Sequence, residues 1–116
     1  MKLVISSMLI ASSMFASSSF KDNVEYTCLN TYNIEKGQRF DIPKKVALNK
    51  PFKITISDNK IHTNENSVFS FLMKKDDMRS YADKDFMVLL TSGQKMGLVP
   101  KASRGQLQYY FQCEAK

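Results

Sequence analysis

Two cysteines, one histidine and two close pairs of aspartates are the side chains of this sequence that could do chemistry. Paired carboxylates can run glycoside hydrolysis when burial keeps one of them protonated. Asp76-Asp77, and Asp83 with Asp85, fall in the polar clusters Lys74-Lys75-Asp76-Asp77 and Asp83-Lys84-Asp85. Aspartate is favoured in such turns because it bonds its own backbone, so both pairs are expected in hairpin turns. His62 lies beside another turn, in Lys60-Ile61-His62-Thr63, and the alternation that places Ile61 inside places His62 outside. A Ser-His-Asp triad would have to use this histidine, and no nucleophile-elbow pattern accompanies it. A zinc site needs three or four ligands, and two mutually bonded cysteines leave too few soft donors. The four glycines are scattered, so no phosphate-cradling loop forms. The expectation is a protein that is not an enzyme, with no metal and no cofactor.

The cysteines point instead to a compartment. Lys2, the apolar stretch from Leu3 to Phe15 and the small residues Ala16-Ser17-Ser18-Ser19 have the charge–apolar–small order of a signal peptide. Cleavage is placed after Ser18, with Ala16 and Ser18 at the −3 and −1 positions. The apolar run is broken by serines and is shorter than a bilayer requires, so it is not read as an anchor. No later stretch is apolar enough to span a membrane, and Cys28 follows polar residues rather than the apolar run, which argues against lipid attachment. The expected organisation is a signal peptide over 1–18 and a single β domain over 19–116, periplasmic or secreted. In an oxidising compartment Cys28 and Cys113 are expected to pair.

Alternation dominates the mature chain. Val24, Tyr26 and Cys28 share one phase, as do Phe52, Ile54 and Ile56, and Leu107, Tyr109, Phe111 and Cys113. Each set predicts a period-two strand with one apolar face. Phe86–Leu90 and Val68–Met73 are continuous apolar runs, expected as strands covered on both faces. Clusters of Asn, Asp, Gly and Ser at 57–60, 63–66, 74–77, 83–85 and 92–94 separate the runs as turns. Pro43 and Pro51 exclude a central strand between Ile34 and Pro51, leaving an edge strand or a long connection there. The fold class is all-β, a small antiparallel barrel or meander of six to eight strands. Both sulfurs take the inward phase, and a disulfide needs Cα atoms within about 7 Å. The first and last strands should therefore be neighbours or face each other across the core.

Lys and Arg number 17 against 11 Asp and Glu, a surplus of six that falls to five without Lys2. Lys44, Lys45, Lys50 and Lys53 cluster around the irregular segment. A basic surface favours anionic partners such as acidic polysaccharide, lipid headgroups or another anionic envelope component, or acidic proteins. The same lysines could simply guard a sheet edge. Nucleic acid is not expected, since basic and aromatic residues are not interleaved for stacking.

Tyr26-Thr27-Cys28, the late Cys113 and the stretch Arg79-Ser80-Tyr81-Ala82-Asp83-Lys84-Asp85-Phe86 together resemble the periplasmic and membrane-bound inhibitors of c-type lysozyme. The resemblance implies an exported antiparallel barrel with one bridge from a Tyr-x-Cys first strand to a cysteine near the C-terminus. It also implies a tyrosine-bearing hairpin. The family inserts a serine and a lysine into the lysozyme cleft. Here the serine position is Asp77, and the lysine falls at Thr91 or Ser92. The basic charge would also repel a basic lysozyme. Fold and compartment follow from the resemblance better than inhibition does.

The expected function is a binding module for a partner protein, because a stapled scaffold with exposed loops needs nothing more. The loops from Lys74 to Asp85 and from Thr91 to Lys95 are the expected contact surface, with Arg79, Tyr81 and Lys95 as contact residues. A carrier of a small apolar ligand and a structural envelope protein are the alternatives.

Overall fold

Strands fold where the alternation is cleanest, and a computed structural model describes them over residues 19–115. The expected leader, 1–18, lies outside the described residues. The chain forms β1 (Glu25–Glu35), β2 (Gln38–Asp41), a six-residue helix α1 (Lys44–Asn49), β3 (Phe52–Ser57), β4 (Lys60–Thr63), β5 (Val68–Lys75) and β6 (Met78–Ala82). It continues through β7 (Phe86–Thr91), β8 (Lys95–Pro100), a 3-10 turn (Lys101–Ser103) and β9 (Leu107–Ala115). Every pairing is antiparallel. Strands β1 and β3 to β9 follow one another around an eight-stranded barrel that closes by pairing β9 with β1. Cys28 stands directly opposite Cys113 in that closing ladder, and the two are disulfide-bonded with Cα atoms 3.9 Å apart. Both cysteines are buried, as their phase requires.

Consecutive hairpins alternate between the two ends of the barrel. The β3–β4, β5–β6 and β7–β8 turns lie at one end, together with the start of β1 and the end of β9; this is the mouth. The β4–β5, β6–β7 and β8–β9 connections lie at the other end, the base. Inside, Tyr26, Ile54, Ile56, Ile61, Phe69, Tyr81, Val88, Leu90 and Met96 pack around the bridge. Burial of each contributes about 1.5–3 kcal/mol. His62 is exposed on the outer face, as its phase predicts.

The irregular segment does hold an edge strand. Lys36 and Gly37 both take positive φ (52° and 82°), the geometry of a tight two-residue hairpin, and turn β1 back into β2. β2 pairs with β1 over Tyr32–Glu35, beyond the stretch where β1 pairs with β3. Pro43 then sits at the N-cap of α1, a helix the strand alternation gave no sign of. A bulge in β1 between Asn30 and Tyr32 reverses the phase and turns Tyr32 outward. The Asn30 side chain holds the bulge by donating to the Tyr110 carbonyl (2.9 Å) and to Asn33 Oδ1 (3.0 Å). Tyr32 stacks on Tyr110 with centroids 4.7 Å apart, and Arg39 covers its other face at 3.9 Å. Tyr110 lies across Gly97, where a Cβ would come within 3.4 Å of the ring. Both ring faces are thus occupied, so this stack braces the strands.

The two continuous apolar runs behave differently from expectation. In β7 the inward residues Val88 and Leu90 are buried, while Met87 and Leu89 are half-buried by their neighbours on the outer face. β5 departs further. Only Phe69 is buried, and Val68, Phe71, Leu72 and Met73 are exposed. Val68 stands within the β4–β5 ladder opposite the exposed His62, on the outer face. For Phe71, Leu72 and Met73 the cause is strand length. β4 has four residues and β5 eight, so the β4–β5 ladder stops at Ser70, and a bulge between Phe71 and Met73 turns the next residues out.

Candidate functional site

The mouth of the barrel holds the candidate site. Asn23 N donates to the Ile56 carbonyl (2.7 Å) and fixes the N-terminal segment on the rim. That segment drops Phe20 into the mouth, where it is buried and meets Tyr26 edge-on at 4.8 Å. Arg79, in β6, reaches back to it. Its Nη2 donates to the Phe20 carbonyl at 2.8 Å, and its Nη1 is 4.0 Å from Asp22 Oδ1. Lys21 N donates to the Tyr26 hydroxyl at 2.7 Å. The first residues of the described chain therefore form a plug across the barrel end.

Beside the plug lies an open cleft of about 790 Å³. Ser19 and Phe20 form one wall, Phe71, Lys74, Asp76, Asp77, Arg79 and Tyr81 of the β5–β6 hairpin another, and Asn59 and Ser92 of the neighbouring turns the rim. Phe71 faces Tyr81 edge-on at 5.6 Å, and its amide donates to the Asn59 carbonyl at 2.9 Å. Past that bond, among the described residues, the β4 side of β5 has no ladder partner. Burial pushes the Tyr81 hydroxyl above its ordinary ionisation range, opposed by the positive charge and hydrogen bond of Arg79.

The three expected contact residues are placed unequally. Arg79 and Tyr81 both line the cleft, on one strand. Tyr81 is only 1 % exposed, so it shapes the wall from within and offers little surface to a partner. Arg79 is half-buried, with its guanidinium engaged by Phe20 and Asp22. Lys95 is exposed on the β7–β8 hairpin at the same end, and it lies outside the cleft lining. The accessible residues are instead Phe71, Leu72, Met73, Lys74, Asp76 and Asp77. A signal for three of them was present: the uninterrupted Phe71-Leu72-Met73 immediately before a Lys-Lys-Asp-Asp turn breaks period two. Phe20 carries no periodic signal at all.

The cleft brings together one arginine, one lysine, two aspartates and exposed apolar side chains. It contains neither the histidine nor the bonded cysteines, and among the described residues no group of three or more His, Cys, Asp or Glu could hold a metal. Such an arrangement suits noncovalent contact. Among the described residues no helix is long and apolar enough to cross a membrane. Comparison with family models, with curated proteins and with solved structures finds no match for this chain.

Proposed function

We propose that the protein is an exported binding module whose barrel presents the β5–β6 hairpin and the mouth cleft to a partner protein. The observation that carries this reading is the rim of the hairpin. Leu72 and Met73 are 55 % and 51 % exposed on a strand that has outrun its β4 neighbour. An unpaired edge with large apolar side chains is a surface another chain can add to, by strand pairing or by covering it. The mixed-charge cleft beside it supplies polar specificity. The barrel interior is filled by side chains, which favours recognition at the surface over carriage of a ligand within. The buried bridge fits an oxidising periplasmic or extracellular location. A c-type lysozyme is not the expected partner, given Asp77 and Thr91-Ser92 at the family's inhibitory positions.

The test is affinity capture with the exported, oxidised protein as bait, from envelope extracts and host fluids. The parallel bait is Leu72→Ser/Met73→Ser. Both side chains are exposed, so stability should change by less than about 0.5 kcal/mol. A partner retained by the first bait and lost by the second supports the proposal. Equal capture by both, or no specific partner, refutes it.

A further inference from the structure

We propose that the base of the barrel docks on an anionic phospholipid surface through α1. This is separate from the mouth, because α1 delivers the chain to Phe52, the base end of β3, while the cleft rim at Asn59 follows the other end of the same strand. Six residues of strand span roughly 20 Å.

The helix explains the surface. At 100° per residue, Ala47 turns inward and is buried, Lys45 and Asn49 form the crest, and Val46 and Leu48 emerge on the two flanks. Val46 is 54 % and Leu48 55 % exposed. An open groove of about 510 Å³ lies on the Leu48 side, against the outer faces of β1 and β9, with Leu29 and Ile42 in its wall. A smaller one of about 280 Å³ lies on the Val46 side, against Pro51 and Phe52. Apolar side chains standing clear of the fold beside open grooves can enter the boundary between headgroups and acyl chains.

Charge selects the kind of surface. The stretch 35–53 contains Lys36, Arg39, Lys44, Lys45, Lys50 and Lys53 against Glu35 and Asp41, a surplus of four. The chain after Lys2 is removed carries a surplus of five, so most of it is concentrated here. Arg39 is engaged by Asp41 at 2.8 Å. Lys44, Lys45 and Lys50 are exposed and, among the described residues, form no ion pair. Glu114 and Glu65 stand in the walls of the two grooves and are outnumbered by the three lysines. Lysines interleaved with exposed Val and Leu match phosphate headgroups above an apolar layer.

The experiment uses the oxidised protein recovered after export and vesicles of phosphatidylcholine, with or without one-third phosphatidylglycerol, in a flotation assay. The protein should float with the anionic vesicles, stay behind with the neutral ones, and release as salt rises from ~0.1 M to ~1 M. Each lysine near such a surface is worth about fivefold in partition, so Lys44→Gln/Lys45→Gln/Lys50→Gln should lower it about 100-fold. Val46→Ser/Leu48→Ser should lower it at least about tenfold. Lys60→Glu, exposed at the mouth end of β4, is the charge control and should have little effect. No flotation, equal flotation with neutral vesicles, an equal loss in Lys60→Glu, or no loss in the Val46/Leu48 variant would each overturn the proposal. These outcomes do not depend on whether the mouth finds its protein partner.

Discussion

Reducing the bridge should cost this barrel a large part of its stability, and the size of the loss follows from the fold. Cys28 and Cys113 are 85 positions apart in sequence, yet opposite each other in the β1–β9 ladder. The native state already holds those strands together by hydrogen bonds, so the bond acts chiefly on the unfolded chain. Closing a loop of this length removes chain entropy worth about 4.6 kcal/mol at 25 °C. For a domain of about 100 residues, this corresponds to a fall in Tm of roughly 20 °C. Total stabilities of such domains are about 5–15 kcal/mol, so the reduced protein should be marginal.

The clean comparison is between oxidised and reduced protein of one sequence. A Cys28→Ala/Cys113→Ala variant would also empty core volume and overstate the effect. Both sulfurs are buried, so reductant added to native protein should act only as fast as the barrel opens. Reduction therefore has to be done in denaturant, followed by refolding in reductant. Urea unfolding monitored by tyrosine fluorescence then gives both free energies. Reduced protein within about 1 kcal/mol of the oxidised form would refute the reasoning. It would mean that the β1–β9 ladder keeps the termini close without the bond, or that the unfolded chain is already compact.

Two further predictions concern the mouth. Phe20→Ala should destabilise by about 3 kcal/mol in the same titration, because the ring is buried against Tyr26; a loss under about 1 kcal/mol would show that the N-terminal segment does not plug the barrel. Burial raises the Tyr81 hydroxyl above the ordinary tyrosine pKa of about 10. Below that pH both states keep the proton; as pH rises through it the unfolded chain ionises first, so stability falls from there upward. Tyr81→Phe should flatten that alkaline loss in urea midpoints measured between pH 8 and about 11, and an unchanged slope would contradict the burial of the hydroxyl.

The parts of the molecule legible in the sequence are those where one physical rule acts alone. Period two fixed the inward faces of β1, β3 and β9, and with them the phase of the two cysteines. From that phase it followed that the first and last strands are neighbours or face each other; the structure makes them neighbours, and this closes the barrel. The turns at Asp58-Asn59, Asp76-Asp77 and Ser92–Gln94 were legible because their residues tolerate positive φ. Three features were not legible. The Asn30 bulge depends on hydrogen bonds to residues some 80 positions away. Helix α1 is one and a half turns long, too short to display a helical period. The exposure of Leu72 and Met73 arises from the length of a different strand, β4, and composition had argued the reverse. Tyr81, expected as a contact residue, lines the cleft with 1 % exposure; a residue's burial in β6 could not be read from the sequence because Ser80 and Tyr81 are buried side by side.

The mismatch of strand lengths links the fold to its two candidate surfaces. A barrel has no edges only where neighbouring strands end together. Here β1 outruns β3, eleven residues against six, and β5 outruns β4, eight against four. Both overhangs leave backbone and side chains without a neighbour. At β1 the chain supplies its own cover: β2 pairs with the overhang and α1 packs over the gap beside it. At β5, among the described residues, nothing equivalent covers Leu72 and Met73. Natural edges are usually blunted by lysine, and Lys74 and Lys75 do follow directly. Two lysines at the tip discourage indiscriminate pairing, yet they leave the apolar residues behind them in water. The two overhangs therefore differ in one respect: the first is covered by the chain itself, while the second leaves Leu72 and Met73 at 55 % and 51 % exposure. That difference is why the proposed partner surface is placed at β5 rather than at β1, and capture with and without Leu72→Ser/Met73→Ser is the measurement that decides it.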